Sequence, residues 1–241
     1  MGFRYSFDGA DLVGAFYDFD PTLKKPAVML IHDAFGVSEY MTHKAMEVAA
    51  EGYAVLAADV WGDGRVMHDE WEVGPVIARF AQDRTTWMGR LKAGFQALSA
   101  QPGVEPARVA LVGYCFGGAS VLEYIRTVGG VRAGVSLHPG LDLVGGDWSR
   151  AKNGGSEVLI LTGFDDPLSK PEKLFEVERG LNEAALTWET VIYGHAKHGF
   201  TRPDSGRPNR PPVVGYDPRA DRRSWAAMMT FLQETLINRQ L

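Results

Sequence analysis

The chain has 241 residues, 45% of them hydrophobic, a formal net charge of −5 and a single cysteine. That length and apolar content suit one core-forming domain over residues 1–241. The mild acidity argues against a nucleic-acid or polyanion partner. No run approaches the roughly 18 consecutive apolar residues of a membrane span, and the first eight residues lack the apolar core of a secretory signal. One cysteine forms no internal disulfide, which fits a reducing, cytoplasmic setting.

In chain order, residues 3–8 and 12–18 read as two short strands around a turn at Asp8-Gly9-Ala10-Asp11. Residues 27–32 form a compact apolar strand, 39–51 a helix closed by Glu51-Gly52, and 53–58 a second apolar strand ending at Asp59. Residues 70–100 carry helical patterning, with Gly74-Pro75 expected to interrupt it. A strand over 108–112 precedes a glycine-rich turn and a helix to about residue 127. Strands are expected over 131–137, 157–161 and 187–192, and helices over 171–182 and 218–238. Residues 203–218 hold five prolines and read as a stiff loop. No internal repeat or low-complexity segment is visible. Strands alternating with helices imply right-handed crossovers and an α/β fold: a mostly parallel twisted sheet with helices on both faces. In such sheets ligands bind at the carboxyl ends of the strands.

The glycine-rich turn is Gly113-Tyr114-Cys115-Phe116-Gly117-Gly118, after Val109-Ala110-Leu111-Val112 and before a helical run. Strand, sharp turn and helix around a G-x-nucleophile-x-G pattern is the nucleophile elbow of α/β-hydrolases. The usual serine is replaced by Cys115. A thiol nucleophile needs a base, and the base an orienting acid. In this fold the order is nucleophile, acid, histidine. The chain offers Asp165 and Asp166 after the 157–161 strand, then His195 and His198 after the 187–192 strand. Periodicity does not choose within either pair. The oxyanion hole is expected from the N–H of Phe116 and that of Ala34, in the loop His32-Asp33-Ala34-Phe35-Gly36. Trp61 and His138 also follow strands and are candidates for substrate contact. No histidine–carboxylate spacing points to a metal, and no cofactor is expected.

The chain resembles the dienelactone hydrolase (carboxymethylenebutenolidase) family of the α/β-hydrolase superfamily. The likeness rests on Ile31-His32-Asp33-Ala34-Phe35-Gly36, on Glu51-Gly52-Tyr53 with Asp59, and on the Cys115 elbow. It continues through Gly163-Phe164-Asp165-Asp166-Pro167 and His198-Gly199-Phe200-Thr201-Arg202. The resemblance implies Cys115 as nucleophile, Asp165 as orienting acid and His198 as base. It implies that Arg202 holds a substrate carboxylate, so that the partner is a small anionic lactone or ester. Family members with dienelactone activity carry a glutamate that pairs with the cysteine at rest. Asp33 stands in its place here, one methylene shorter, and is the thiol-switch candidate. A second carboxylate-binding arginine is expected, with Arg65, Arg79 and Arg84 in the segment that could supply it.

The implied reaction is ester or lactone hydrolysis through a cysteinyl thioester. Its rivals are a small-molecule-binding protein on the same fold and a redox-sensing thiol. Neither needs an acid and a histidine in the triad order.

Overall fold

The structure, a computed structural model, describes residues 2–151, 154–206 and 212–238. It falls into two units, Met1–Val112 and Gly113–Leu241.

In the first unit, β1 (Phe3–Phe7) pairs antiparallel with β2 (Ala10–Tyr17). Asp8 and Gly9 both carry positive φ, 49° and 75°. Two such residues make the tight hairpin whose twist matches its strands. β3 (Lys25–Ile31) and β4 (Ala54–Ala58) are parallel, and β2 runs antiparallel to β4. Residues Ala27–Ile31 and Ala54–Ala58 are buried throughout, the unbroken apolar run expected of interior parallel strands. The strand order is β1-β2-β4-β3-β5, with β5 spanning Val104–Tyr114. α1 (Glu39–Ala50) connects β3 to β4 in sequence.

The expected break at Gly74-Pro75 does not occur. α2 runs through it (Glu70–Gln82), and α3 (Arg84–Ser99) follows. The Glu72 carboxylate accepts from the N–H groups of His68 and Asp69, at 3.1 and 3.3 Å, and so holds the start of α2. Pro75 deletes only one bond, to the carbonyl of Trp71, whose side chain is exposed. The real break is at Asp83. Its carboxylate accepts from Thr86 N–H at 3.0 Å and caps α3, a contact worth about 0.5–2 kcal/mol.

Asp59, fully buried at the end of β4, sets the loop that follows. Its oxygens accept from the N–H groups of Val13, Gly62 and Gly64 at 2.8–2.9 Å. Three backbone donors offset the cost of burying this carboxylate. The Tyr5 hydroxyl donates to Asp59 O and accepts from Asp59 N–H. Burial, then the Asp59 charge, hold that phenol far above its ordinary range, so it stays protonated.

In the second unit β6 (Ala133–Leu137), β7 (Glu157–Gly163) and β8 (Thr187–Tyr193) are parallel, in that order. α4 (Phe116–Thr127) follows the elbow, α5 (Pro171–Glu183) precedes β8, and α6 (Pro218–Gln233) comes last. α6 passes into a π-helical turn, Glu234–Asn238, where a plain helix to 238 was expected. Asp217 caps α6 by accepting from Arg219 and Ala220 N–H. Pro218 takes the first helical position, where its missing donor costs nothing. Within the proline-rich segment, Pro203–Gly206 is one 3-10 turn; residues 207–211 lie outside the described residues. Among the described residues, no helix is long and apolar enough to cross a membrane.

Candidate active site

β5 ends at Tyr114 and α4 begins at Phe116, which leaves Cys115 to make the turn alone. It does so at φ 56° and ψ −111°. For a residue with a Cβ this is strained backbone, sustained by tight packing on either side. A Cβ at Gly113 would overlap the backbone of Gly117, and one at Gly118 would lie 2.8 Å from Leu137 O. The glycines are therefore steric requirements of the elbow. Cys115 N–H donates to Leu137 O at 3.0 Å, and its carbonyl accepts from Ala119 N–H at 3.2 Å. The thiol sits at the N-terminus of α4.

The histidine arrives on the chain beyond β8. His198 N–H donates to Val213 O at 3.3 Å, and its carbonyl accepts from Gly215 N–H at 3.0 Å. Residues 213–215, the far limb of the proline-rich segment, thus clamp its backbone from both sides. Phe200 is fully buried and anchors the same turn among Ala196, Ala220 and Tyr193. Held there, the His198 ring places Nε2 3.0 Å from Cys115 Sγ and Nδ1 2.9 Å from Asp166 Oδ2.

The acid expected from the resemblance, Asp165, is not the one that meets His198. Its side chain is 45% exposed and faces His195 at 3.7 Å, whose ring is 97% exposed. Asp166 is enclosed and bonded to His198. The cause is the turn that ends β7: Asp166 N–H bonds back to Gly163 O at 3.3 Å. The fourth residue of that turn is directed inward and the third outward. Asp166 Oδ1 also accepts from Leu168 N–H at 2.8 Å. Capping the turn and holding the histidine belong to this one residue. The signal was Asp166-Pro167 itself, an Asx-turn dipeptide.

Burial alone would depress His198. The Cys115 charge, the Asp166 hydrogen bond and the Asp166 charge outweigh it and raise its pKa to about 10. His138 goes the other way: burial, then the nearby His198 charge, push it well below the usual imidazole value. It is a neutral ring with Nε2 2.8 Å from Thr201 Oγ1. Nδ1 is enclosed with no partner among the described residues. An unmet acceptor costs less than an unmet donor, so we assign the proton to Nε2, donating to Thr201. The His138 ring stands edge-on to His198, centroids 5.4 Å apart, and to Phe200 at 5.1 Å. It is thus a hydrogen-bonded packing histidine of the site, with no room to act as a second base.

Phe116 holds the first position of α4, its ring buried. In the first unit, Asp33 Oδ1 accepts from Phe35 N–H at 2.9 Å and shapes the loop that carries Ala34. His32 accepts Val60 N–H at Nε2, which leaves Nδ1–H to donate to Asp33 O at 2.6 Å. Trp61 donates to Ala34 O at 3.3 Å and packs between His32 and Phe80 at 4.8 and 5.2 Å. At 6% exposure it is core, with little surface to offer as an acyl-pocket wall. Arg65 pairs with Glu72 at 3.2 Å, and Arg79 and Arg84 lie over Phe80 and Trp87. Sequence reading overlooked the buried Arg90, which donates to Val60 O and Trp61 O. Arg202 turns its guanidinium onto Asp204, Nε to Oδ1 at 2.6 Å.

A nucleophile elbow on a parallel sheet, followed by the acid and the histidine in that order, is the α/β-hydrolase arrangement. The fold recurs in the acylaminoacyl peptidase of Pyrococcus horikoshii, at TM-score 0.75 and 13% identity over 100% of this chain and 42% of that one. The sequence model of the dienelactone hydrolase family matches residues 14–236. The chain belongs to that family and is a hydrolase acting on esters. It is similar to a dienelactone hydrolase-like promiscuous phosphotriesterase from metagenomic libraries, with 32% identity, TM-score 0.90 and coverage of 98% of this chain and 97% of that one. An uncharacterized protein of Caenorhabditis elegans is 32% identical over 60% of this chain and 91% of its own length. A carboxymethylenebutenolidase of Pseudomonas sp. (strain P51) is 26% identical over 51% of this chain and 53% of its own length.

Proposed function

We propose that the chain hydrolyses a small carboxylic ester or lactone through a Cys115-His198-Asp166 triad and a cysteinyl thioester. The observation that carries this reading is the unbroken run of contacts from Cys115 Sγ through His198 to Asp166. His198, its pKa raised by the thiol's charge and by Asp166, is suited to a resting imidazolium–thiolate pair. The thiolate attacks the carbonyl carbon, with Phe116 and Ala34 N–H as oxyanion donors. His198 protonates the departing alkoxide and then draws a proton from the water that cleaves the thioester. Activated esters and enol lactones suit a thiolate, because a poor leaving group returns the tetrahedral intermediate to substrate. Asp33 remains the candidate that pairs with the thiol between turnovers. The family match crosses the boundary at Val112, which supports reading residues 1–241 as one catalytic domain. The lone cysteine still suits a reducing, cytoplasmic setting. The metagenomic neighbour makes a phosphotriester the second substrate class to assay.

The charge of the substrate turns on Arg202. Its fork is occupied by Asp204, so the pair presents little net charge. We therefore read Arg202 as pinning the loop after His198, with no selectivity for an anion. Steady-state kinetics on a carboxylate-bearing enol ester and its neutral methyl ester test both points. Wild type turns over both, and Arg202→Ala changes KM by the same factor for each. A loss confined to the anionic substrate, worth about 1.5–3 kcal/mol for a charge-assisted contact, would restore the carboxylate clamp. No turnover of any ester by pure protein would favour the binding-protein reading.

A further inference from the structure

β8 ends the strand order of its unit and, among the described residues, pairs with β7 alone. The direction of its ladder settles which groups face outward. Phe164 N–H donates to Tyr193 O at 2.9 Å, so the polar backbone of Tyr193 faces β7. Alternation then turns Thr187, Glu189 and Val191 the same way, and turns the N–H and C=O groups of Trp188, Thr190 and Ile192 out along the edge. Natural sheets guard such an edge with charged side chains, Pro, a bulge or a short strand. This edge carries a single charge, Glu189, and no Lys, Pro or bulge. It is seven residues, Thr187-Trp188-Glu189-Thr190-Val191-Ile192-Tyr193, β-branched or aromatic at every position but Glu189. Beside it Ile192, Phe164 and Phe175 stand 51%, 65% and 66% exposed around a recess of about 250 Å³. An apolar patch continuous with an edge that carries one charge in seven residues marks an interaction surface.

We propose that two copies of this chain pair antiparallel through β8, about a two-fold axis at Thr190. The sequence is self-complementary in that register. Thr190 meets Thr190 of the other copy. Each outward residue both donates and accepts, giving roughly six backbone hydrogen bonds. Ile192 lies against Trp188 of the second copy, an aromatic–β-branched cross-strand pair. Glu189 falls opposite Val191, over the groove between β8 and α6 that Arg223 also lines. An axis at Glu189 would set like charges face to face, and one at Val191 leaves two residues of each strand unpaired.

Analytical ultracentrifugation of the full chain at micromolar concentration is expected to show a dimer. Thr190→Pro removes an outward N–H that the fold does not use, so the parallel ladder survives. Ile192→Lys puts a charge into the cross-strand pair. Each weakens the dimer at least about tenfold, or 1.4 kcal/mol, while the circular dichroism spectrum is retained. Thr190→Cys in a Cys115→Ala background tests the register, because an on-axis hydrogen-bonded pair has Cα atoms about 5.5 Å apart, within disulfide reach. Mild oxidation should give a cross-linked dimer on a non-reducing gel. A monomer at every concentration overturns the proposal, even if it captures some other extended segment at β8. So does a dimer that both variants leave intact and that gives no cross-link.

Discussion

Replacing Cys115 with Ala should lower ester turnover by at least about 10⁴-fold, because nothing else in the site forms an acyl-enzyme. In comparable triads, what is left without the nucleophile retains 10³–10⁴-fold over water. The fold should be indifferent. Ala has the same Cβ as Cys, so the strain at φ 56° is unchanged, and only the Sγ contact with His198 disappears. An unaltered circular dichroism spectrum and melting transition, with turnover gone, is the expected pair of results. Cys115→Ser should recover a little activity, limited by a hydroxyl that a histidine must deprotonate during attack. Wild-type-like turnover by Cys115→Ala would remove the nucleophile from the account.

Asp166→Asn should cost about 10³–10⁴ in kcat, the order seen when a triad aspartate becomes an amide in a serine protease. Asp165→Asn should stay within about twofold, since exposed side chains away from the chemistry contribute little. The reason lies in what each aspartate touches: Asp166 holds Nδ1 of an enclosed histidine, Asp165 only an exposed one. The titration of His198 gives a second readout. Its pKa is raised against the pull of burial by the Cys115 charge first and by the Asp166 hydrogen bond and charge next. Removing the carboxylate removes two of those supports. The ring then loses its proton at lower pH, and the alkaline limb of the activity profile moves down with it. Histidine NMR signals followed against pH report the shift directly. A large loss in Asp165→Asn, with Asp166→Asn near wild type, would mean that the acid loop is bent the other way in the working enzyme.

The elbow was legible in the sequence because its constraints are local. Gly113 is required by the backbone of Gly117, four residues on, and an apolar strand and a helix flank it. His198 is preferred over His195 only through the family resemblance; in the structure the buried Phe200 anchors its turn. The acid was not legible. Asp165 and Asp166 are neighbours of the same chemistry, separated only by the turn from Gly163 that points one outward and folds the other in. That choice is made by this turn together with the long-range bond from Asp165 N–H to Ala196 O at 3.0 Å, which no spacing rule contains. Pro75 misled in the opposite sense, because proline's cost early in an exposed helix is a single bond, and capping on either side outweighs it. The family resemblance implies that Arg202 clamps a carboxylate; in the structure its guanidinium pairs with Asp204, two residues on. His138 needed the structure most. Its Thr201 partner lies 63 residues off in sequence, and burial, then the nearby His198 charge, keep it neutral.

A covalent intermediate on Cys115 can be caught by acid-quenched mass spectrometry. The full chain is mixed with p-nitrophenyl acetate, quenched within the first turnovers, digested and mapped. One acetyl group is expected on the peptide containing Cys115, labile to hydroxylamine, accumulating in wild type and absent from Cys115→Ala. Acetyl on any other residue during productive turnover, or sustained turnover with Cys115 never labelled, would contradict it.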